Sequence, residues 1–164
     1  MKISLPAVAA VAVIGLGLVG LNFVDLSPVA NAQTKLPELK KQPTPQAVLD
    51  EHFAALNACD WDRIMAQFPE DAQINLPGGL IVKGRMGLGN LFNGFCADPS
   101  VGGLRGLQFE VEHSTTVGDT FATQWVATAP WLAVPYRGSD AYITHDGYMA
   151  AMVTTFDGAA LKRK

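Results

Sequence analysis

The sequence predicts an α+β domain in which three helices from the N-terminal half pack on one curved, antiparallel sheet drawn mostly from the C-terminal half. Two observations carry that reading. Between Thr44 and Cys96, three segments place apolar residues at helical spacing, whereas from Leu107 onward apolar and polar residues alternate as in half-buried strands. The alternating runs are separated by compact turn signals, Val117-Gly118-Asp119 and His145-Asp146-Gly147, the second an Asp-Gly hairpin signal. The resulting order, α-α-β-β-α-β-β-β-β, is that of helices laid on one sheet.

The chain of 164 residues suits one domain, and 49% hydrophobic residues with a 16% charged fraction argue for a packed core. The first 32 residues stand apart from the fold. Lys2 precedes an apolar run from Leu5 to Val24, followed by Ser27, Pro28 and Ala30-Asn31-Ala32, the pattern of a secretory signal peptide cleaved before Gln33. An uncleaved anchor is the rival reading, since the run approaches the ~20 residues that span a bilayer. The Ala-x-Ala triplet favours cleavage, no membrane insertion thereafter, and a periplasmic or secreted protein. Residues 33–43, polar and proline-bearing, read as a flexible linker before a single domain at 44–160 and a basic tail at 161–164.

Within the domain, Thr44 is a helix N-cap with Pro45 at the first helical position, and the helix runs to about Ala58. Asp60 caps a short second helix, Trp61 to Phe68. Pro69-Glu70-Asp71 breaks it, and AQINL and LIVKG form two short strands around the turn Pro77-Gly78-Gly79. Met86, Leu88, Leu91, Phe92 and Phe95 mark a third helix, ended by Ala97-Asp98-Pro99. Two long strands follow, Leu107 to Thr116 and Thr120 to Ala129. The loop PWLAVPYRG leads to a final hairpin, Ser139 to Thr144 and Tyr148 to Phe156.

Composition excludes several functions. A formal net charge of −3 gives no basic footprint for nucleic acid or anionic lipid. Cys59 and Cys96 permit one disulfide in an oxidising compartment, with two separate buried thiols as the alternative. His52, His113 and His145 are scattered and lack zinc-ligand spacing, so no metal is expected. The glycines of 84–94 form neither G-x-G-x-x-G nor G-K-[ST], and no G-x-S-x-G is present, so no cofactor is expected either.

One residue breaks the helical pattern. Val48, His52 and Leu56 recur at i, i+4 and i+8 beside Leu49 and Phe53, which places His52 in the buried stripe of the first helix. An imidazole there is either a core histidine held by a neighbour or a functional group. On the last hairpin, strand parity puts Asp140, Tyr142 and Thr144 on one face.

The stretch HFAALNACDWDRIMAQFPEDAQINLPGGLIVKGRMGLGNLF resembles the nuclear transport factor 2-like superfamily, above all its SnoaL-like polyketide cyclase and ketosteroid isomerase branches. The marks are Asp60 after the first helix, Glu70-Asp71-Ala72 entering the first strand, and Lys83-Gly84-Arg85 opening the third helix. The strand Ala122 to Trp125 and the ending Asp146-Gly147 also fit, and the similarity spans roughly residues 44 to 157. The resemblance implies a cone: a bent, cystatin-like sheet wrapped on helices around an apolar pocket, with a homodimer through the outer sheet face. It places His52 where the isomerase has an oxyanion-hole tyrosine and Asp140 where isomerase and cyclases have a cavity-facing aspartate. The isomerase base stands just before a proline at the end of the first strand. Here Leu76 precedes Pro77, and a leucine accepts no proton, which argues against steroid isomerisation by that route.

His52 and Asp140 are therefore the candidate catalytic pair, an aspartate orienting an imidazole or itself kept protonated by an apolar site. Leu76, Phe92, Phe95, Trp125 and Tyr142 are the candidate pocket wall, serving as core and wall together. His113, on the face of Phe109 and Val111, reads as interfacial or exposed, and His145 as solvated in its turn. Trp131 and Tyr136 suit a pocket mouth or a dimer contact. Two functions follow as alternatives: general acid/base catalysis of the isomerase, cyclase or hydratase type on a small apolar metabolite, or non-catalytic binding of such a molecule.

Overall fold

The computed structural model describes residues 35–164, so the signal peptide expected at 1–32 lies outside the described residues. Among the described residues, no helix is long and apolar enough to cross a membrane.

Helix α1 (Pro45–Ala58) starts where the Thr44 hydroxyl accepts the amide of Ala47 at 3.1 Å, and ends at Cys59, whose backbone turns left-handed at φ 48°. Asp60 then caps α2 (Trp61–Met65) by accepting the amide of Arg63. This helix is shorter than its sequence pattern implied, ending before Gln67 and Phe68. Strands β1 (Gln73–Asn75) and β2 (Ile81–Lys83) form a small antiparallel hairpin across Pro77–Gly79. Helix α3 (Gly84–Phe95) carries a glycine, Gly89, where α2 needs the space. The Trp61 indole donates to the carbonyl of Gly89 at 2.9 Å, and a Cβ on Gly89 would lie 3.2 Å from the same indole.

Strands β3 (Gln108–Val117), β4 (Thr120–Thr128), β5 (Tyr136–His145) and β6 (Tyr148–Thr154) form the large antiparallel part of a six-stranded sheet in the order β2-β1-β6-β5-β4-β3. One pair departs from the antiparallel expectation: β1 runs parallel to β6, because it enters the sheet from the helices rather than through a hairpin. Strand β5 also begins at Tyr136, three residues before its predicted start. The β5–β6 turn has positive φ at both Asp146 and Gly147, as a two-residue hairpin turn requires.

The core has two parts. Helices and the inner sheet face enclose a larger cluster containing Val48, Leu56, Ile64, Phe68, Leu88, Phe92 and Tyr142. A smaller cluster of Leu104, Leu107, Trp125, Ala127 and Leu132 fills the far end. Asn57 ties α1 to the sheet by mimicking a strand: its side chain donates to the carbonyl of Phe109 at 2.9 Å and accepts its amide at 2.8 Å.

Both end segments are docked. The described part of the expected flexible linker lies along the body as an extended strap, where the Lys40 amide donates to Ala66 and the Gln42 amide to Gly147. The basic tail bonds back to the PWLAVPYRG loop through Lys162 and Lys164, and Arg163 stacks 4.6 Å over the Trp131 ring. Trp131 thus finds its cover within the chain.

Candidate functional site

The inner sheet face and the three helices bound a cavity of about 890 Å³. Its walls carry His52 from α1, Leu76 after β1, Phe92 and Phe95 from α3, and Asp140 and Tyr142 from β5. Strand parity explains the last two: Asp140, Tyr142 and Thr144 are buried on the inner face while Arg137 and Ser139 point outward to solvent. Cys59 and Cys96 also contribute to the wall and are joined by a disulfide, their Cα atoms 5.4 Å apart.

Trp125 is not on this wall. It lies in the second cluster, its ring edge-on to Phe109 at 5.1 Å, because its position on β4 faces the far end of the cone. His113 is exposed, in line with its sequence reading. A register shift between Val111 and His113 breaks the alternation, so Val111 pairs with inward Trp125 but His113 with outward Gln124. His145 is exposed and sits 3.6 Å from Asp146.

Asp140 is 9% exposed. Its Oδ2 accepts the Tyr142 hydroxyl at 2.9 Å and its Oδ1 accepts the Thr155 amide at 3.1 Å. Burial raises its pKa above the ordinary carboxylate value, and hydrogen bonding from Thr154, Tyr142 and the Thr155 backbone opposes that rise. Tyr142 is pushed well above the ordinary phenol value, by burial first and then by the Asp140 charge, so it keeps its proton.

His52 is fully buried in a box of aromatic rings: Tyr142 at 5.5 Å, Phe68 at 5.9 Å, Phe53 at 6.1 Å and Phe92 at 6.3 Å between centroids. Neither ring nitrogen has a hydrogen-bond partner within the protein. Burial lowers its pKa to about 4, against a smaller opposing effect from the Gln67 side chain, so the ring is neutral at physiological pH. His52 and Asp140 do not hydrogen-bond to each other. Tyr142 connects them, its ring against the imidazole and its hydroxyl on the carboxylate.

Gln67 and Phe68 had no sequence signal, because they follow α2 in a stretch whose pattern reads as plain helix. Among the described residues, no group of three His, Cys, Asp or Glu side chains is placed to hold a metal ion. The arrangement suits proton exchange at Asp140 beside a hydroxyl donor, in an apolar chamber.

Residues 49–159 match the model of the SnoaL-like domain. No curated protein is significantly similar in sequence. Among solved structures, a protein from Kribbella flavida assigned as a ketosteroid isomerase is similar at 18% identity and TM-score 0.57, covering 69% of this chain and 77% of that one. An LEH-like epoxide hydrolase from Mycobacterium tuberculosis is similar at 17% identity and TM-score 0.53, covering 71% and 86%. A computationally designed 17-OHP binder is similar at 17% identity and TM-score 0.60, covering 75% and 98%. The matched domain spans nearly all of the helices, the sheet and the cavity wall, and the chain belongs to the SnoaL-like family of nuclear transport factor 2-like proteins.

Proposed function

We propose that the protein takes a small, mostly apolar metabolite into this cavity and performs general acid/base chemistry on it with Asp140. The observation that carries the proposal is a buried carboxyl on the cavity wall whose pKa is raised by burial, with Tyr142 donating to it. A carboxyl so placed exchanges its proton nearer neutrality than a solvated one, which general acid/base catalysis needs. The neighbours assigned as an isomerase and named as an epoxide hydrolase use the same fold, and they support a reaction of the isomerase, cyclase or hydratase type. His52 is neutral and acts in this reading by contact with the substrate, not as a cation. The Cys59–Cys96 disulfide supports an exported protein working in an oxidising compartment.

Leu76 favours a second reading, a non-catalytic binder of apolar molecules. It lines the cavity ahead of Pro77, where proton abstraction in the isomerase branch needs a base. The designed binder on the same fold is consistent with that use. Mass spectrometry of a metabolite extract incubated with the wild type and with Asp140→Asn separates the two. Conversion by the wild type alone is the expected result. Conversion by both would remove Asp140 from the chemistry, and retention without conversion by either would leave the binder.

A further inference from the structure

The polar end of the cavity has a hydrogen-bonding sense. Gln67 donates through Nε2 to the carbonyl of Arg63 at 3.0 Å, which leaves its amide oxygen, buried and unpartnered, as the free end. An amide oxygen only accepts, so the His52 imidazole that interacts with the Gln67 side chain is favoured with its N–H on the Gln67 side. Gln67 is absent from the cavity wall, whereas His52 is part of it. The second ring nitrogen is then a bare lone pair. It has no partner in the protein, and the Phe53 and Phe68 rings packed around the imidazole cannot supply one.

Tyr142 and Asp140, the polar neighbours of the imidazole on the wall, share the same sense. Tyr142 commits its proton to Asp140 Oδ2 and both Asp140 oxygens already accept, so neither residue offers a ligand a free donor. A carbonyl ligand would bring an acceptor to the imidazole lone pair and leave that nitrogen unpaired. A hydroxyl supplies the missing donor, and satisfying a buried orphan recovers its desolvation cost.

Resting on the small-molecule reading above, we infer that the cavity selects an apolar alcohol over the matching ketone, with His52 accepting the ligand's hydroxyl proton and Gln67 positioning the imidazole to do so. This reverses the polarity of a tyrosine, which at the same place would donate to a carbonyl.

Cyclododecanol and cyclododecanone, equal in shape and differing in this one group, test it by displacement of an apolar fluorescent dye. The wild type should prefer the alcohol by about tenfold, the worth of one ordinary hydrogen bond. His52→Phe should abolish the preference by weakening the alcohol and sparing the ketone. Gln67→Met should reduce it while ¹⁵N imidazole shifts show His52 moving from one tautomer to a mixture, a signature that loss of packing alone would not produce. Equal binding of both probes, or a ketone preference, by the wild type would overturn the acceptor assignment and leave the small-molecule reading standing. An alcohol preference unchanged in His52→Phe would remove His52 from it. Binding of neither probe would overturn both.

Discussion

The Tyr142 hydroxyl donates a 2.9 Å hydrogen bond to Oδ2 of Asp140, two residues earlier on the same face of the same strand. The pair is a cost as well as a resource. The folded pKa of Asp140 lies above its ordinary 3.8, so over the interval between them the folded state holds a proton that the unfolded state has released. Stability therefore falls as pH rises through that interval. Asp140→Asn, which has no charge to bury, should match the wild type's melting temperature in acid and exceed it at neutral pH, while losing turnover. Thermal melts across the pH range read this directly. A variant that is less stable than the wild type only at neutral pH would mean that the hydrogen bonds outweigh the burial of the carboxylate.

His52 contributes the opposite slope. Its folded pKa of about 4 lies below its ordinary 6.5, so the unfolded chain takes up a proton in that window while the folded chain resists it. The stabilisation is complete above pH 6.5 and declines as pH falls towards 4, by about 3 kcal/mol in all. Denaturation of the wild type and of His52→Phe in urea at a series of pH values isolates the effect. The difference between them should shrink by that amount from pH 7 to pH 4. A constant difference would show that the imidazole is hydrated or paired in solution.

The sequence made the fold legible through its local signals. Thr44 and Asp60 cap the helices that their spacing announced, and alternation through Phe121, Thr123, Trp125 and Ala127 matches the buried face of β4. The same parity placed Asp140 and Tyr142 inward. What escaped was set by tertiary geometry. The register shift beside Glu112 has no pattern in β3 to mark it, although His113 is exposed as its reading had it. Trp125 was correctly inward, but inward at the far end of the cone, a distinction that alternation cannot make. Gln67 is a single polar residue after a one-turn helix, and its importance comes only from the histidine it faces.

The disulfide between Cys59 and Cys96 joins the C-terminal ends of α1 and α3 across 37 residues of sequence. In the chain-entropy account a closure of that length contributes about 4 kcal/mol. Replacing both cysteines by serine should lower unfolding stability by about 2–4 kcal/mol. Because both residues lie on the cavity wall, ligand affinity should weaken alongside it. Chemical denaturation with and without reductant measures the first, and a stability insensitive to reductant would mean that the thiols are unbonded in solution.

Gly138 connects the two halves of the core. It pairs with Trp125 across β4 and β5, and a Cβ at this position would lie 2.6 Å from Cη2 of that fully buried indole and 2.9 Å from the Thr155 hydroxyl. Neither neighbour is free to yield, since Trp125 is packed against Phe109 and Phe156 and the Thr155 hydroxyl accepts the Ser139 amide at 2.8 Å. Gly138→Ala should cost about 1–3 kcal/mol by overpacking. The damage should reach the site, because the residue pushed aside is the one whose amide donates to Asp140. Turnover should therefore fall further than stability alone explains. Adding Trp125→Phe makes room for the new methyl group, so the double variant should be more stable than the two single losses sum to, by about 0.5–3 kcal/mol of coupling. Strict additivity would place the strain elsewhere and detach Gly138 from the indole.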